Sequence, residues 1–442
     1  MKFVALISGG KDSCFNILHC LANGHELVCL ANLFPPPSDS DELDSFMYQT
    51  VGHDIISYYA KCTGKPLYRQ QINGTSANQK LEYKKTTNDE TEDLFQLLST
   101  VLKHHPDVEG VSVGAILSSY QRTRVEDVCL RLGLTSLSYL WQRDQTELMS
   151  EMCDSGMEAI LIKVAAIGLN AKHLGLTLQN AFPVLLNLNQ RFGVHVCGEG
   201  GEFETLVLDA PFFTKGKLIV KEQQIVKHTN DDVWYLKLKV EFVPKNDSGD
   251  QILDWSQFLS TPPLLNERFQ EISDSLPKIN QDEKPKEKAL TTNTNTQLWK
   301  FNSTTVDNKL YVANITSNEE QLEAQIQDIF SQLSSELKKR DFKFANIQTS
   351  SLLVKDMSNF ATINKIYCKY FTEPLPPSRV CVESNILPPG VLAQLSVTVI
   401  DDLQFKQGLH VQGRSYWAPS NIGPYSQAII DRRDNIALLN KF

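Results

Sequence analysis

The chain has no run approaching the roughly 20 consecutive apolar residues that a membrane-crossing helix needs, and none of its nine cysteines sits in a C-x-x-C pair. The first absence excludes a helical membrane protein. The second removes the usual zinc and redox-dithiol frameworks. An odd, scattered set (Cys14, Cys20, Cys29, Cys62, Cys129, Cys153, Cys197, Cys368, Cys381) reads as reduced thiols in a cytoplasmic protein. An excess of positive charge is also missing. A formal net charge of −9 over 442 residues argues against nucleic acid as the main partner, since a phosphate backbone is held by clustered Lys and Arg. The apolar start, Met1 to Ile7, stops at Ser8, too short for a signal peptide and with no small-residue cleavage site behind it, so it reads as a buried first strand. With 41% apolar and 21% charged residues, the chain has ordinary globular composition and the length for two or three cores.

Both familiar phosphate-binding glycine spacings, G-x-x-x-x-G-K-[ST] and G-x-G-x-x-G, are absent as well. In their place the strand-like Phe3–Ile7 runs into Ser8-Gly9-Gly10-Lys11-Asp12-Ser13 and then into a helical pattern over Ser13–Asn23. Adjacent glycines let a backbone approach a ligand without a Cβ in the way. Successive N–H groups at a helix head make an anion site, reinforced by the helix dipole. Ser8 and Ser13 add hydroxyls and Lys11 a movable charge, while a carboxylate at Asp12 makes chemical sense beside a metal ion that bridges phosphates.

Strand-like and helix-like segments alternate through the first part: strand Glu26–Asn32, helix Gln49–Thr63, strand Pro66–Ile72, helix Thr91–His104, strand Gly110–Ile116, helix Thr123–Leu132. This order implies right-handed crossovers and a doubly wound α/β domain over residues 1–133, with ligands at the carboxyl ends of a parallel sheet. Residues 134–243 read as a second α/β lobe, closed by the β-rich runs "KLIVKEQQIV" and "VWYLKLKVEFV". Residues 244–297 are polar and rich in Pro, Ser, Thr and Asn, a linker by composition with a short helix at Asn266–Ser275. A new α+β pattern occupies 298–405: strand Lys309–Ala313, helix Glu319–Lys338, strand Ile347–Val354, helix Asn359–Tyr370 and two further strands. Residues 408–442 read as the start of one more domain.

Two stretches carry further chemistry. "VGAILSSYQRTRVEDV" places Tyr120, Gln121, Arg122 and Arg124 at the mouth of a strand. "GEGGEFETLVLDAPFF" packs Glu199, Glu202 and Glu204 within six residues around Gly200 and Gly201. Carboxylates that close repel when all are ionised, so a cation belongs among them or one has a raised pKa. The plainer alternatives are a helix start with exposed arginines and a solvated acidic turn.

The loop at 8–13 resembles that of the PP-loop (HUP-like) ATP pyrophosphatases, which split ATP between its α and β phosphates. Together with "LDSFMYQTVGHD" at 43–54, "GAILSSYQRTRVE" at 114–126, "YLWQRDQTELM" at 139–149 and "GEGGEFETLVLDAPFF" at 198–213, it resembles the diphthine–ammonia ligases, which perform the last step of diphthamide synthesis. The resemblance implies ATP and Mg2+ as cofactors, ammonium as co-substrate and translation elongation factor 2 as protein partner. It implies nucleotide binding by Ser8, Gly9, Gly10, Lys11, Asp12, Ser13 and Gly114, with the metal on Asp12. Substrate would be met by Tyr120, Gln121, Arg122, Arg124, Glu199, Gly200, Gly201, Glu202, Glu204 and Thr205. Lys11, Asp12 and Glu202 are the expected catalytic groups. "LLVKDMSNFATINKIYCKYF" and "PLPPSRVCV" resemble the YjgF/RidA fold, an extension that fungal members of the ligase family carry, and "NIGPYSQA" resembles the beginning of a second copy that is mostly missing here. Imine-hydrolysing proteins of that fold hold a substrate carboxylate with an arginine, matched by Arg379. The stretch that should supply their glutamate offers Gln394 and Ser396 instead, so a packing or partner-binding role is expected, in a fold that commonly forms homo-oligomers. Two other functions stay open: a tRNA-modifying adenylating enzyme of the same superfamily, and a non-catalytic nucleotide-binding scaffold with a RidA-like interaction module.

Overall fold

The computed structural model describes residues 1–36, 52–81, 83–228, 232–245, 254–263, 267–276, 300–421, 423–433 and 436–439. Of the 43–54 motif only Gly52, His53 and Asp54 are among them, and most of the expected linker and the first residues of the expected 49–63 helix lie outside. Two compact units result: residues 1–264 with 412–419, and residues 265–411 with 420–442.

The first unit begins with the expected alternation and carries it one unforeseen strand, β5, past the expected boundary at 133. The strands are β1 (Lys2–Leu6), β2 (Glu26–Phe34), β3 (Leu67–Gln71), β4 (Gly110–Ser112) and β5 (Thr135–Leu137). Between them come α1 (Lys11–Ala22), a 3₁₀ turn at Ile55–Tyr58 running into α2 (Tyr59–Thr63), α3 (Glu90–His104) and α4 (Ser119–Leu132). The sheet is wholly parallel in the order β3-β2-β1-β4-β5. Strand order therefore reverses between β1 and β4, where doubly wound sheets open a crevice for ligands. Successive residues of β1 face opposite ways. Phe3 and Ala5 join one apolar cluster with Phe15 and Leu18 of α1, and Val4 joins another with Leu94, Leu98 and Val128 of α3 and α4. Both faces are covered, as a parallel sheet requires.

Helix α4 starts four residues before the expected Thr123. The Ser118 hydroxyl accepts from the Gln121 N–H and caps it, although the polar "SSYQRTR" shows no apolar period there. Strand β4 stops at Ser112 rather than Ile116, because the chain beyond it turns toward the head of α1.

Then follow α5 (Gln145–Asp154), β6 (Glu158–Val164), α6 (Leu178–Phe192), β7 (Phe203–Asp209), β8 (Gly216–Lys227) and β9 (Trp234–Pro244). These four strands form an antiparallel sheet in the order β7-β6-β9-β8. It has no separate core. One apolar cluster runs from Phe3 through Leu161, Leu206 and Phe213 to Leu218, so both sheets are packed on a shared interior. Within the expected linker, a 3₁₀ turn at Trp255–Phe258 sets Trp255 and Leu259 against that cluster.

The second unit holds α7 (Glu267–Ser275), β10 (Asn302–Val306), β11 (Lys309–Ile315), α8 (Leu322–Lys338), β12 (Ile347–Val354), α9 (Phe360–Tyr367), β13 (Ser378–Glu383) and β14 (Ala393–Ile400). Its main sheet runs β10-β11-β14-β12-β13, with β12 and β13 parallel and the other pairs antiparallel. Helices α8 and α9 supply the cluster on one face through Ile326, Ile329, Phe330, Leu333, Ile363 and Tyr367. Strands β15 (Lys406–Leu409), β16 (Ala428–Asp431) and β17 (Ile436–Leu439) make a separate antiparallel sheet. No helix among the described residues is long and apolar enough to cross a membrane.

Candidate active site

The chain leaves β1 at Leu6 and enters α1 at Lys11, so Ser8, Gly9 and Gly10 form the turn between them. Gly9 has φ +90°, where a side chain is strained, and a Cβ there would strike Ile56 Cδ1. Its carbonyl is fastened by the Val207 N–H at 2.8 Å and the Tyr59 hydroxyl at 3.0 Å. The Gly10 N–H donates to Ser8 Oγ (3.3 Å), and the Ser13 hydroxyl donates to the Gly10 carbonyl (3.0 Å). The Lys11 N–H is taken by Thr205 Oγ1 at 3.0 Å. Thr205, expected on the substrate, therefore also anchors the loop. Gly114 faces the same helix head: an added Cβ would lie 2.6 Å from both Asp12 C and Ser13 N. Its glycine identity is a matter of close approach.

The Lys11 side chain is only 2% exposed. Its ammonium donates to Asp12 Oδ2 (2.9 Å) and to the Cys197 carbonyl (2.5 Å), and it lies 5.3 Å from the Phe203 ring centre. Burial, the largest single influence, would pull its pKa down, but the Asp12 carboxylate together with Cys197 and Glu199 outweighs it, so Lys11 stays charged with its pKa above the ordinary value.

These groups open into a cavity of about 630 Å³ at the strand-order reversal, lined by Ser8, Lys11, Asp12, Ser13, Gly114, Tyr120, Gln121, Glu199, Gly200, Gly201, Glu204 and Thr205 among the expected residues. It also takes in Ala31, Asn32 and Leu33 at the end of β2, Val113 and Ala115 after β4, Ser118 and Phe203, none of which was singled out from the sequence. The rule that ligands sit at carboxyl ends of strands would have found the β2 and β4 groups.

Five expected residues are not part of this lining: Gly9 and Gly10, which form the turn behind it, and Arg122, Arg124 and Glu202, whose placement has a physical cause in each case. Arg124 is completely buried, not at the cavity wall. Its guanidinium donates to the carbonyls of Tyr120 (3.0 Å), Asn78 and Lys80 (3.1 Å) and lies 3.2 Å from the Tyr120 ring centre, so it pins the 78–80 loop against α4. Arg122 pairs with Glu126 at 2.8 Å and covers the Trp141 ring. Glu202 does not line the cavity. Its carboxylate accepts the His195 N–H at 2.7 Å, and its carbonyl accepts from Ala165 and Ala166 at 2.9 Å. With left-handed glycines at 198, 200 and 201, Glu202 closes the 195–202 turn that aims Cys197 O at Lys11 and Glu199 at the cavity. Burial, helped by the Asp12 charge, pushes the Glu199 carboxyl up to about 7. Glu204 pairs with Lys163 at 3.5 Å.

Asp12 Oδ1 is buried with no hydrogen-bond partner among the described residues, while Oδ2 holds Lys11. A bare carboxylate oxygen beside a phosphate-type loop fits magnesium, which takes one or two protein carboxylates and completes its shell with phosphate and water.

Comparison with known proteins matches these elements. The family described as Diphthamide synthase N-terminal domain covers residues 1–136, and Diphthamide synthase C-terminal domain covers residues 144–242. The Diphthine--ammonia ligase of Homo sapiens is 52% identical over 259 residues, 56% of this chain and 96% of the human protein. The chain belongs to the diphthine–ammonia ligase family. The proteins of that name from Saccharomyces cerevisiae and Schizosaccharomyces pombe are 50% and 45% identical over 97% of this chain, which spans 66% and 71% of their respective lengths.

The family described as Endoribonuclease L-PSP matches residues 303–400, giving this ligase-family chain a RidA-like part. There Arg379 is buried, donates to Asn364 Oδ1 at 2.7 Å and lies 4.5 Å and 5.0 Å from the ring centres of Tyr367 and Tyr425. Gln394 donates to Asn314 Oδ1 and Ser396 Oγ.

Proposed function

We propose that this chain amidates diphthine on translation elongation factor 2 to diphthamide in the cytoplasm, consuming ATP and ammonium and releasing AMP and pyrophosphate. The observation that carries the reading is a Ser-Gly-Gly turn at the head of α1, opening into a cavity lined both by Lys11 and by the carboxylates Glu199 and Glu204. ATP would lie along the ends of β1, β2 and β4, its phosphates on the loop. The diphthine carboxylate attacks the α-phosphorus as the bond to pyrophosphate breaks. Ammonia then adds to the acyl-adenylate carbonyl, and AMP leaves. Negative charge builds on the departing pyrophosphate, and the preorganised Lys11 ammonium, the serine hydroxyls and the helix dipole oppose it where water is scarce. Magnesium on Asp12 would neutralise part of the same charge. Ammonium must lose a proton before it can attack, and Glu199, at about 7, is poised to take one. Glu204 suits the trimethylammonium of diphthine.

Incubating the protein with α-labelled ATP, ammonium and elongation factor 2 in its unmodified, diphthine-bearing or diphthamide-bearing form tests this. AMP that appears only with the diphthine form is the expected result. ADP as product, or AMP dependent on tRNA, would sink it. In the same assay Glu202→Gln, which keeps an acceptor for the His195 N–H, is expected to retain activity within about threefold. Glu202→Ala forfeits a charge-assisted hydrogen bond, worth about 1.5–3 kcal/mol, and is expected to lower both rate and melting temperature. Equal loss in both variants would return a chemical role to the carboxylate.

A further inference from the structure

The sequence places residues 413–420, "GRSYWAPS", at the opening of a second RidA-like copy. The structure sets residues 412–419 into the first unit instead. Arg414 runs parallel to Leu137 of β5: its N–H donates to the Ser136 carbonyl at 2.7 Å, and its own carbonyl accepts from the Ser138 N–H at 2.8 Å. The segment thus adds a single parallel bridge to the β5 edge of the sheet, the minimal form of strand addition. The N–H groups of Gln412 and Gly413 donate to Glu126 Oε1 at 3.3 Å and 3.0 Å, and the other oxygen of this buried carboxylate takes Arg122. Gly413 fits tightly, since an added Cβ would stand 3.1 Å from the Ser136 carbonyl oxygen. The Tyr416 hydroxyl accepts from Asn23 Nδ2 (2.7 Å) and meets His19 Nδ1 (3.2 Å), while Trp417 packs on Trp141 beneath Arg122.

We propose that the β5 edge is a strand-docking groove whose occupant is the chain's own 412–419 segment, and that its seating sets nucleotide affinity. The segment grips α1 at its C-terminal end through His19 and Asn23, and α4 through Glu126. The first turns of these same two helices, with Lys11, Asp12 and Ser13 on one and Tyr120 and Gln121 on the other, line the cavity. A rigid helix gripped away from its head, α1 at its C-terminal end and α4 at its middle, carries the head with it. Loss of the segment strips Glu126 of two donors and frees α1 and α4 to shift. The inference rests on ATP occupying that cavity.

Binding linkage is reciprocal, so the full chain can be tested without mutation. Hydrogen–deuterium exchange with and without α,β-methylene-ATP should show slower exchange both at residues 8–13 and, by threefold or more, at 412–417. In the full-length Gly413→Val variant, the KM for ATP should rise about five- to tenfold with kcat little changed, and a synthetic peptide of residues 410–420 should restore it. Protection at 8–13 with no change at 412–417 would overturn the coupling and leave the nucleotide site standing, as would an unchanged KM in folded Gly413→Val. No protection at 8–13 would instead remove the nucleotide reading, and the coupling with it. Should Gly413→Val not fold, the exchange measurement on the unaltered chain decides alone.

Discussion

Lys11→Met is expected to slow AMP formation by about 100- to 1,000-fold, the loss typical when one preorganised group opposite a developing charge is removed. Methionine nearly matches the lysine in length and can rest against the Phe203 ring, so the space stays filled and the charge goes. The change also leaves the Cys197 carbonyl without its 2.5 Å donor and Asp12 without its counter-ion. An unmet buried acceptor costs about 1–3 kcal/mol, so a modest fall in melting temperature should accompany the kinetic effect. Single-turnover AMP formation at saturating ATP, measured beside a thermal melt, separates the two. Lys11→Arg is expected to fare little better, because a planar fork cannot replace a compact ammonium in so enclosed a place. A loss of less than about fivefold in the methionine variant would mean that the phosphates are held without this cation.

The second large effect belongs to Gly114→Ala. The added methyl meets backbone atoms of Asp12 and Ser13 at 2.6 Å, and backbone cannot rotate aside as a side chain can. The end of β4 and the head of α1 must part, and overpacking of this kind costs about 1–3 kcal/mol. In a domain of this size that lowers the melting temperature by about 2–12 °C. Because the displaced atoms carry the loop itself, affinity for ATP should fall tenfold or more, well beyond what the loss of stability alone produces. Isothermal titration with a non-hydrolysable ATP analogue, run below the melting range, measures it. An intact affinity would show that the nucleotide does not depend on that turn.

The phosphate loop was legible because its chemistry is local: six consecutive residues between a strand and a helix specify a turn, a dipole and two hydroxyls. The strand alternation was legible for a similar reason at β1 and β2, where "KFVAL" and "ELVCLANLF" are near-continuous buried apolar runs, but not at the three-residue β5. What the sequence hid depends on distant partners. Arg122 and Arg124 look like ligand-seeking cations beside a strand end, yet their positions are decided by Glu126, Trp141 and the carbonyls of Asn78 and Lys80. Of three glutamates within six residues, Glu202 turns away from the cavity to the His195 amide while Glu199 faces it, and the left-handed glycines at 198, 200 and 201 dictate that split. The 412–419 segment is harder still, because nothing in "GRSYWAPS" indicates that its strand partner lies at Ser136–Ser138.

Two bonds described above, Lys11 N–H to Thr205 Oγ1 and Val207 N–H to the Gly9 carbonyl, also govern how the protein comes into being. The first spans 194 positions of sequence. At translation speeds of about 5–20 residues per second, roughly 10–40 s pass between emergence of the two ends. A nascent chain halted near residue 136 would display the whole glycine signature and the Tyr59 and Ser13 hydroxyls that hold it, but neither Thr205 nor Val207. The fastening of the loop is completed late, by the strand that carries Thr205 and Val207.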